Sequence, residues 1–292
     1  MFRGTFTAVV TPFRNGAIDF GALEKLINAQ IAAGITGIIA VGTTGESPTL
    51  TYDEKHEVIE RTIKLAKGRC QVIAGAGTNS TRDSIEAAKF AEKAGADGAL
   101  LVGPYYNRPS QEGLFRHFKA IADATSLPIM LYNIPGRCSV DTVPETVARL
   151  AEQCRNIVSI KEASGSVERV SELRRRLPDA FTILSGDDSL TLPFMAVGAD
   201  GVVSVASNLF PSEVCALVRA CESGDLRSAE TSHRKLLPLF KDLFIEPNPV
   251  PVKTALGWRG AMSPEVRLPL CEMSEANQAR LRKTLADFES KR

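Results

Sequence analysis

A single lysine stands where a buried strand would meet a loop. Lys161 ends the apolar run of residues 157–160 and is followed by Glu162 and then by the small residues 163–165. An apolar run that stops in this way is typical of a buried strand opening onto a loop. Burial disfavours the ammonium form and lowers the pKa of a lysine, and a neutral amine can attack a ketone to form a Schiff base. A rim lysine paired with Glu162 is the alternative interpretation.

Tyrosines lie at or just after the ends of two of the other apolar runs. Three of the four tyrosines in the chain, Tyr105, Tyr106 and Tyr132, lie at these two places. A tyrosine can pass a proton to and from a reacting carbonyl, and the nearby Arg137 can hold a carboxylate with two hydrogen bonds. The run of Tyr132 directly precedes that of Lys161, and adjacent strands are ~5 Å apart, so the two side chains should be neighbours. An amphipathic core role is the alternative for each tyrosine alone.

Two further loops offer polar groups after apolar runs. Residues 42–47 read GTTGES, and their glycines allow a ligand close to the backbone. The hydroxyls and amides of Thr43 and Thr44 suit a carboxylate, although Thr43 and Glu46 also fit the capping box of a helix-entry loop. Residues 185–188 read SGDD and are interpreted as a polar turn whose Gly186 forms part of the pocket wall.

The apolar runs repeat along the chain. Three similar segments, 33–42, 94–103 and 197–206, each read as a helix end, a glycine cap, a turn and a strand. Five more runs bring the total to eight: 5–10, 71–74, 128–132, 157–160 and 181–184. Amphipathic stretches between them predict helices. Apolar strands alternating with helices predict a parallel sheet, and eight such units predict a (β/α)8 TIM barrel.

The strand pattern stops after about Gly224. The segments 225–244, 251–258 and 274–290 read as helices, so we predict a barrel over residues 1–224 and a small helical C-terminal region over residues 225–292. An open doubly wound sheet is the alternative fold. It would carry a glycine-rich turn after the first strand, where this chain has TPFRNG instead.

Capping patterns mark two helix starts. Thr51 with Glu54 three positions later is a capping-box signature, and Thr142 with Glu145 repeats it. Pro144 would lie in the first turn of the second helix, a position that suits its fixed φ.

Composition excludes several classes of protein. The 292 residues are 44% hydrophobic and carry a formal net charge of +1, with no basic block that would point to nucleic acid or an anionic membrane surface. No apolar stretch approaches the ~20 residues that a membrane-spanning helix needs. The N-terminal sequence lacks the order of a signal peptide, so we expect cytoplasmic residence.

The cysteines and histidines form no recognisable metal motif. None of the six cysteines forms a C-x-x-C pair, and the three histidines lie far apart in the sequence. This spacing argues against structural zinc, and buried free thiols are the expected state of most cysteines. Cys138, in a loop after an apolar run, is a minor alternative nucleophile without a visible partner.

Several of these segments resemble the pyruvate-dependent Schiff-base aldolases, the family of dihydrodipicolinate synthase and N-acetylneuraminate lyase. GTTGE (42–46), YNIP (132–135) and IKE (160–162) are similar to motifs shared across the family. The threonine pair, PYYNRP (104–109), Arg137 and EPNPVPVK (246–253) favour the synthase branch. The resemblance covers nearly the whole chain and implies the barrel fold.

The resemblance also implies roles for individual residues. Lys161 would form an imine with pyruvate, so no separate cofactor is expected. Tyr132 would relay protons through Thr43 to Tyr106, which would reach in from a neighbouring subunit. The remaining roles concern substrate binding: Thr44 and the backbone of Val203 would hold the carboxylate and carbonyl region of pyruvate, and Arg137 would carry the carboxylate of L-aspartate 4-semialdehyde.

Regulation and assembly are further implications of the resemblance. Some members are inhibited by lysine near a subunit contact, and the matching positions are Ser47, Pro48, Tyr52, Lys55, Asn79, Asp83 and Tyr105. Lys55 stands where sensitive bacterial members often carry histidine, and Asp83 stands where they carry glutamate. A cation beside an incoming ammonium and a shorter carboxylate predict weak or no inhibition. The family also implies a homotetramer built from tight dimers.

Two alternative functions remain at this stage. A lyase that cleaves N-acetylneuraminate or a 2-keto-3-deoxy sugar acid would keep Lys161 and Tyr132 but would need a polyol-binding wall, and Arg137 argues against it. A paralogue that binds a keto acid without turnover belongs to a different class. Covalent trapping of pyruvate would separate both enzymes from a protein without turnover.

Overall fold

The structure is a computed structural model that describes residues 2–290. Eight parallel strands close a barrel, and a two-stranded hairpin follows the first of them. The strands are β1 (Gly4–Ala8), β2 (Phe13–Arg14), β3 (Ala17–Ile18), β4 (Gly37–Ala40), β5 (Gln71–Gly75), β6 (Gly98–Val102), β7 (Ile129–Asn133), β8 (Ile157–Glu162), β9 (Thr182–Ser185) and β10 (Gly201–Ser204). All eight predicted strands are present, and the β2–β3 hairpin was not predicted.

Helices alternate with the barrel strands and continue after them. They are α1 (Phe20–Ala32), α2 (Tyr52–Ala66), α3 (Thr81–Ala94), α4 (Gln111–Asp123), α5 (Pro135–Cys138), α6 (Pro144–Gln153), α7 (Val167–Arg176), α8 (Thr191–Ala196), α9 (Pro211–Glu222), α10 (Leu226–Asp242), α11 (Val250–Trp258) and α12 (Glu275–Glu289). None of the helices in residues 2–290 is long and apolar enough to cross a membrane. The prediction of a TIM barrel followed by helices is confirmed.

The barrel closes because β1 pairs in parallel with both β10 and β4. Successive strand residues point to opposite faces, and both faces are buried here, which explains the near-continuous apolar runs. On β4, for example, Ile38 packs outward against the helices, whereas Ile39 packs inside the barrel with Tyr132, Leu184 and Val203. Residues that point inward at the carboxyl ends of the strands therefore share one small space.

One of the two predicted capping boxes is correct. The side chain of Thr51 accepts from the backbone N–H of Glu54, and Glu54 bonds back to the N–H of Thr51, as α2 begins. The Thr142 box is wrong, because α6 starts at Pro144 with Val143 as its N-cap residue and no side-chain cap. The backbone N–H of Thr142 instead donates to the side chain of Asn133, at 3.0 Å.

The C-terminal helices pack on one side of the barrel. A single apolar cluster joins Val10, Val202 and Phe210 to residues of α10, α11 and α12, including Phe240 and Phe288. The boundary at residue 224 between barrel and C-terminal region stays a prediction. Residue 1, where the predicted barrel region starts, and residues 291 and 292, where the predicted C-terminal region ends, lie outside the described range. All six cysteines are free, and four of them are buried.

Candidate active site

Lys161 points into the barrel from the penultimate position of β8. Its side chain is buried, and burial lowers its pKa to about 7, with Asp188 opposing the shift and Arg137 adding to it. The rim interpretation is wrong, because Lys161 and Glu162 are successive strand residues on opposite faces. Glu162 bonds instead to Arg169, at 2.8 Å, and to Asn133. A substantial fraction of Lys161 is therefore the neutral amine near pH 7.

Tyr132 is the direct neighbour of Lys161, as the sequence predicted. The two residues are register partners on β7 and β8. The Nζ atom of Lys161 lies 4.1 Å from the centre of the Tyr132 ring. Burial raises the pKa of Tyr132 to about 12, while Arg137 and a hydrogen bond with Thr43 oppose the rise. The phenol therefore keeps its proton at neutral pH and can donate it.

A cavity of about 230 Å³ opens beside Tyr132. Thr43, Tyr132 and Arg137 lie on its wall, whereas Lys161 contacts the ring of Tyr132 but is not itself on the wall. Four residues of the predicted regulatory set line the same cavity: Ser47, Pro48, Lys55 and Tyr105. Cys138 is also on the wall, and burial raises the pKa of its thiol to about 11. A protonated thiol is a poor nucleophile, which argues against the minor alternative.

Glycines make room for the loop that carries the two threonines. A Cβ atom on Gly75 would lie 2.2 Å from the carbonyl oxygen of Val41. Val41 and Glu46 both have positive φ angles, of 59° and 54°, although neither is glycine. Thr44 is buried, and its Oγ1 accepts a hydrogen bond from Nδ2 of Asn248 at 2.9 Å. The loop is therefore tightly constrained at the edge of the cavity.

The loops after β9 and β10 complete the surroundings of Lys161. A Cβ atom on Gly186 would lie 3.1 Å from Cε of Lys161 and 2.7 Å from Cβ of Ala163, so a larger residue would crowd the lysine. Val203 is buried in the interior cluster that contains Tyr132. Asp188 is buried, and one carboxylate oxygen accepts from the backbone N–H groups of Val205 and Ala206, at 2.9 Å each.

Tyr106 stands apart from the other predicted catalytic residues. It is 90% exposed and has a φ angle of 73°. It does not lie on the wall of the cavity in its own chain, whereas Tyr105 does. The side chain is therefore free to meet another molecule.

The remaining predicted regulatory positions lie close by. Tyr52, Lys55 and Asp83 line a second, smaller cavity between α2 and α3, where His56 stacks on Phe90 with 3.5 Å between ring centres. Burial lowers the pKa of Lys55. Asn79 lines neither cavity, and its backbone carbonyl accepts a hydrogen bond from the side chain of Asn107 at 2.9 Å. Lys55 and Ser47 line both cavities, so the two spaces adjoin.

A sequence model of the Dihydrodipicolinate synthetase family matches residues 1–288. The chain belongs to this family. The 4-hydroxy-tetrahydrodipicolinate synthase of Endomicrobium trichonymphae is 50% identical over 288 residues, which cover 99% of each chain. The solved 4-hydroxy-tetrahydrodipicolinate synthase of Methylacidiphilum fumariolicum SolV is 57% identical, with a TM-score of 0.99, over 100% of this chain and 97% of that one. The resemblance identified from the motifs is confirmed.

One solved relative bears on the state of assembly. A solved dihydrodipicolinate synthase variant described as monomeric matches with a TM-score of 0.97 and 43% identity, covering 99% of this chain and 97% of its own. Membership of the family therefore leaves the number of subunits to be measured.

Sequence reasoning missed three residues beside the site. Asp188 was grouped with a polar turn, and Asn248 and Lys253 were noted only within a family motif. Lys253 is fully buried, and its Nζ lies 2.5 Å from Oε1 of Glu46. A charged residue within an apolar stretch was the available signal, since a buried lysine requires a partner. The partner, 207 positions away, was not visible in the sequence.

Proposed function

We propose that this protein condenses pyruvate with L-aspartate 4-semialdehyde to give 4-hydroxy-tetrahydrodipicolinate, through a Schiff base on Lys161. Family membership and relatives of that name at 50% identity or more support the reaction. The observation that carries the mechanism is the buried Lys161, with its lowered pKa, against the ring of Tyr132. No separate cofactor is needed, because the imine itself supplies the chemistry.

The covalent steps follow from a neutral amine beside a protonated phenol. The amine of Lys161 adds to the ketone carbon of pyruvate, and the resulting alcohol leaves as water, with Tyr132 supplying a proton. The cationic imine withdraws electrons, so the pyruvate methyl group loses a proton and becomes an enamine. The enamine carbon bonds to the aldehyde carbon, whose oxygen takes up a proton. The amino group of the second substrate then adds to the imine carbon and displaces Lys161.

Other residues of the site hold the two substrates. Thr44 and the backbone of Val203 bind the carboxylate and carbonyl region of pyruvate, and Gly186 leaves space for the lysine to swing. Arg137 binds the carboxylate of the semialdehyde, for which a planar guanidinium is well suited. Its position on the cavity wall supports this role.

Tyr106 completes the proton relay from a second copy of the chain, which requires at least a dimer. Its 90% exposure supports a role at a subunit contact. We propose a homotetramer built from two such dimers, present in the cytoplasm. Sedimentation of the purified protein tests the number of subunits. Turnover of Tyr106→Phe, compared with that of wild type, tests the proton relay separately.

The test of function is turnover of pyruvate with L-aspartate 4-semialdehyde, coupled to the following reductase and measured as loss of NADPH. Cleavage of N-acetylneuraminate and of 2-keto-3-deoxygluconate is measured beside it. We expect turnover only with the semialdehyde and a large rise in its KM in Arg137→Met. Cleavage of a sugar acid without synthase turnover would reject the substrate and retain the Schiff base.

A further inference from the structure

An asparagine from the C-terminal region contacts the substrate-binding loop of the barrel. Asn248 is buried, and its Nδ2 donates to Oγ1 of Thr44 at 2.9 Å, across 204 positions of sequence. Thr44 is itself 3% exposed. A hydrogen bond between two buried polar groups is costly to break, because either group would be left without a partner.

The direction of this hydrogen bond determines whether the hydroxyl proton of Thr44 remains available to another group. A threonine hydroxyl has one proton to donate and can accept from other groups. Because Oγ1 of Thr44 accepts from Asn248, the hydroxyl proton of Thr44 is directed elsewhere. Within residues 2–290 the structure shows no acceptor for that proton. The hydroxyl is therefore set up as a donor for a bound anion.

A second contact from the same region holds the loop two residues further on. Nζ of Lys253 lies 2.5 Å from Oε1 of Glu46, and both side chains are fully buried. The other oxygen of Glu46 accepts from the backbone N–H of Arg267 at 3.0 Å. Glu46 has a φ angle of 54°, which a non-glycine residue adopts only when its surroundings hold it there. Thr44 therefore has little freedom to move away from Asn248.

We propose that Asn248 is a positioning residue that directs the hydroxyl of Thr44 towards the carboxylate of the keto acid bound at Lys161. The inference rests on the proposed function and extends it to a residue outside the cavity wall. Asn248→Ala would free the hydroxyl to rotate. Asn248→Asp would be more harmful, because its carboxylate would accept the Thr44 proton and place a negative charge near the bound anion.

The test compares a charged and a neutral ketone. Borohydride trapping is measured against concentration for pyruvate and for its methyl ester, in wild type, Asn248→Ala and Asn248→Asp. Asn277→Ala is the matched control, since Asn277 lies in the same C-terminal region and bonds to Glu246 and not to Thr44. We expect the half-saturating pyruvate concentration to rise about tenfold in Asn248→Ala, as for a lost bond to a charged group, and further in Asn248→Asp. The ester should change less than twofold.

Each outcome has a distinct meaning. Equal weakening of pyruvate and ester would show a merely structural role and overturn the inference. Failure of wild type to trap pyruvate would instead reject the proposed function. If Asn248→Ala does not fold, Thr44→Val provides the test from the other partner, and an unchanged preference for pyruvate over the ester would also overturn the inference. In folded variants, Asn248→Ala should add no further loss to Thr44→Val.

Discussion

Tyr132 and Lys161 face each other as register partners on β7 and β8, with the lysine nitrogen 4.1 Å from the tyrosine ring centre. One position later, Asn133 and Glu162 are register partners on the opposite face, and they are joined by hydrogen bonds of 3.2 Å. The Tyr132–Lys161 pair points into the barrel, and the Asn133–Glu162 pair lies on the outer face of the same two strands. The outer pair, bonded further to Arg169, thus holds the inner pair in line.

Lys161→Ala should abolish covalent trapping of pyruvate by borohydride, because no other amine lies against Tyr132 in the described structure. Mass spectrometry of the trapped protein measures the stoichiometry. Lys119→Ala, at a half-buried position on α4 where the lysine pairs with Asp123, is the control and should trap fully. Full trapping in Lys161→Ala would refute the assignment.

Tyr132→Phe should lower kcat more than it weakens pyruvate binding, by about 10²–10⁴-fold for a lost acid–base group. The ring remains and keeps its contact with Lys161, so the lysine should stay in place. Steady-state kinetics together with borohydride trapping separate the two effects. An unchanged kcat would contradict a role in proton transfer.

The rate of imine formation should rise with pH through about 7, since the reacting form of Lys161 is the neutral amine. Asp188 favours the ammonium form, so Asp188→Asn should lower the pKa of Lys161 and move the midpoint to lower pH. Arg137→Met removes a neighbouring positive charge and should move it to higher pH. The pH profile of kcat/KM for pyruvate is the measurement. Shifts in the same direction for both variants would contradict this electrostatic balance.

Lys253→Met should destabilise the protein by about 3–5 kcal/mol, because the carboxylate of Glu46 would be left buried without its cation. The double variant with Glu46→Gln should lose less. Urea unfolding measures both. The control is Lys283→Met, whose exposed ion pair with Asp287 should contribute about 0–1 kcal/mol. Equal losses of unfolding free energy in Lys253→Met and Lys283→Met would show that the buried pair stabilises the protein no more than the exposed pair does.

Lysine should inhibit the enzyme weakly or not at all, since Lys55 would place a cation beside the ammonium group of a lysine bound at the predicted regulatory positions. A titration of turnover with lysine measures this. The variant Lys55→His with Asp83→Glu should gain sensitivity, and Lys25→His on the exposed face of α1 is the control. Strong inhibition of wild type at sub-millimolar lysine would overturn the prediction.

The strands of the barrel were predictable because both of their faces are buried. Apolar character then fills every position, as at Ile38 and Ile39, and the runs stand out in the sequence. The hairpin of Phe13–Arg14 with Ala17–Ile18 was missed, because strands of two residues carry no periodicity. Thr142 matched a cap pattern, but the side chain of Asn133 already bonds to its N–H.

The pairing of Tyr132 with Lys161 was easier to predict than the contacts of the residues around them. Tyr132 and Lys161 lie on consecutive barrel strands, so chain order alone implied that they are neighbours. Asn248 and Lys253 reach their partners across 204 and 207 positions, and no local pattern encodes such a contact. Asp188 was hidden in a loop whose polar residues also suit a turn.

The contacts between the C-terminal region and the loop of Thr43 and Thr44 determine when this loop can be held in place during synthesis on the ribosome. Barrel closure awaits β10, because β1 pairs with it, and the supports of Thr44 and Glu46 come later still, at Asn248 and Lys253. A nascent chain that has exposed only its barrel strands holds Lys161 and Tyr132 but lacks the two contacts that support Thr44 and Glu46. If the proposed role of Thr44 holds, binding of pyruvate at full affinity would therefore begin only after residues 248–253 have emerged.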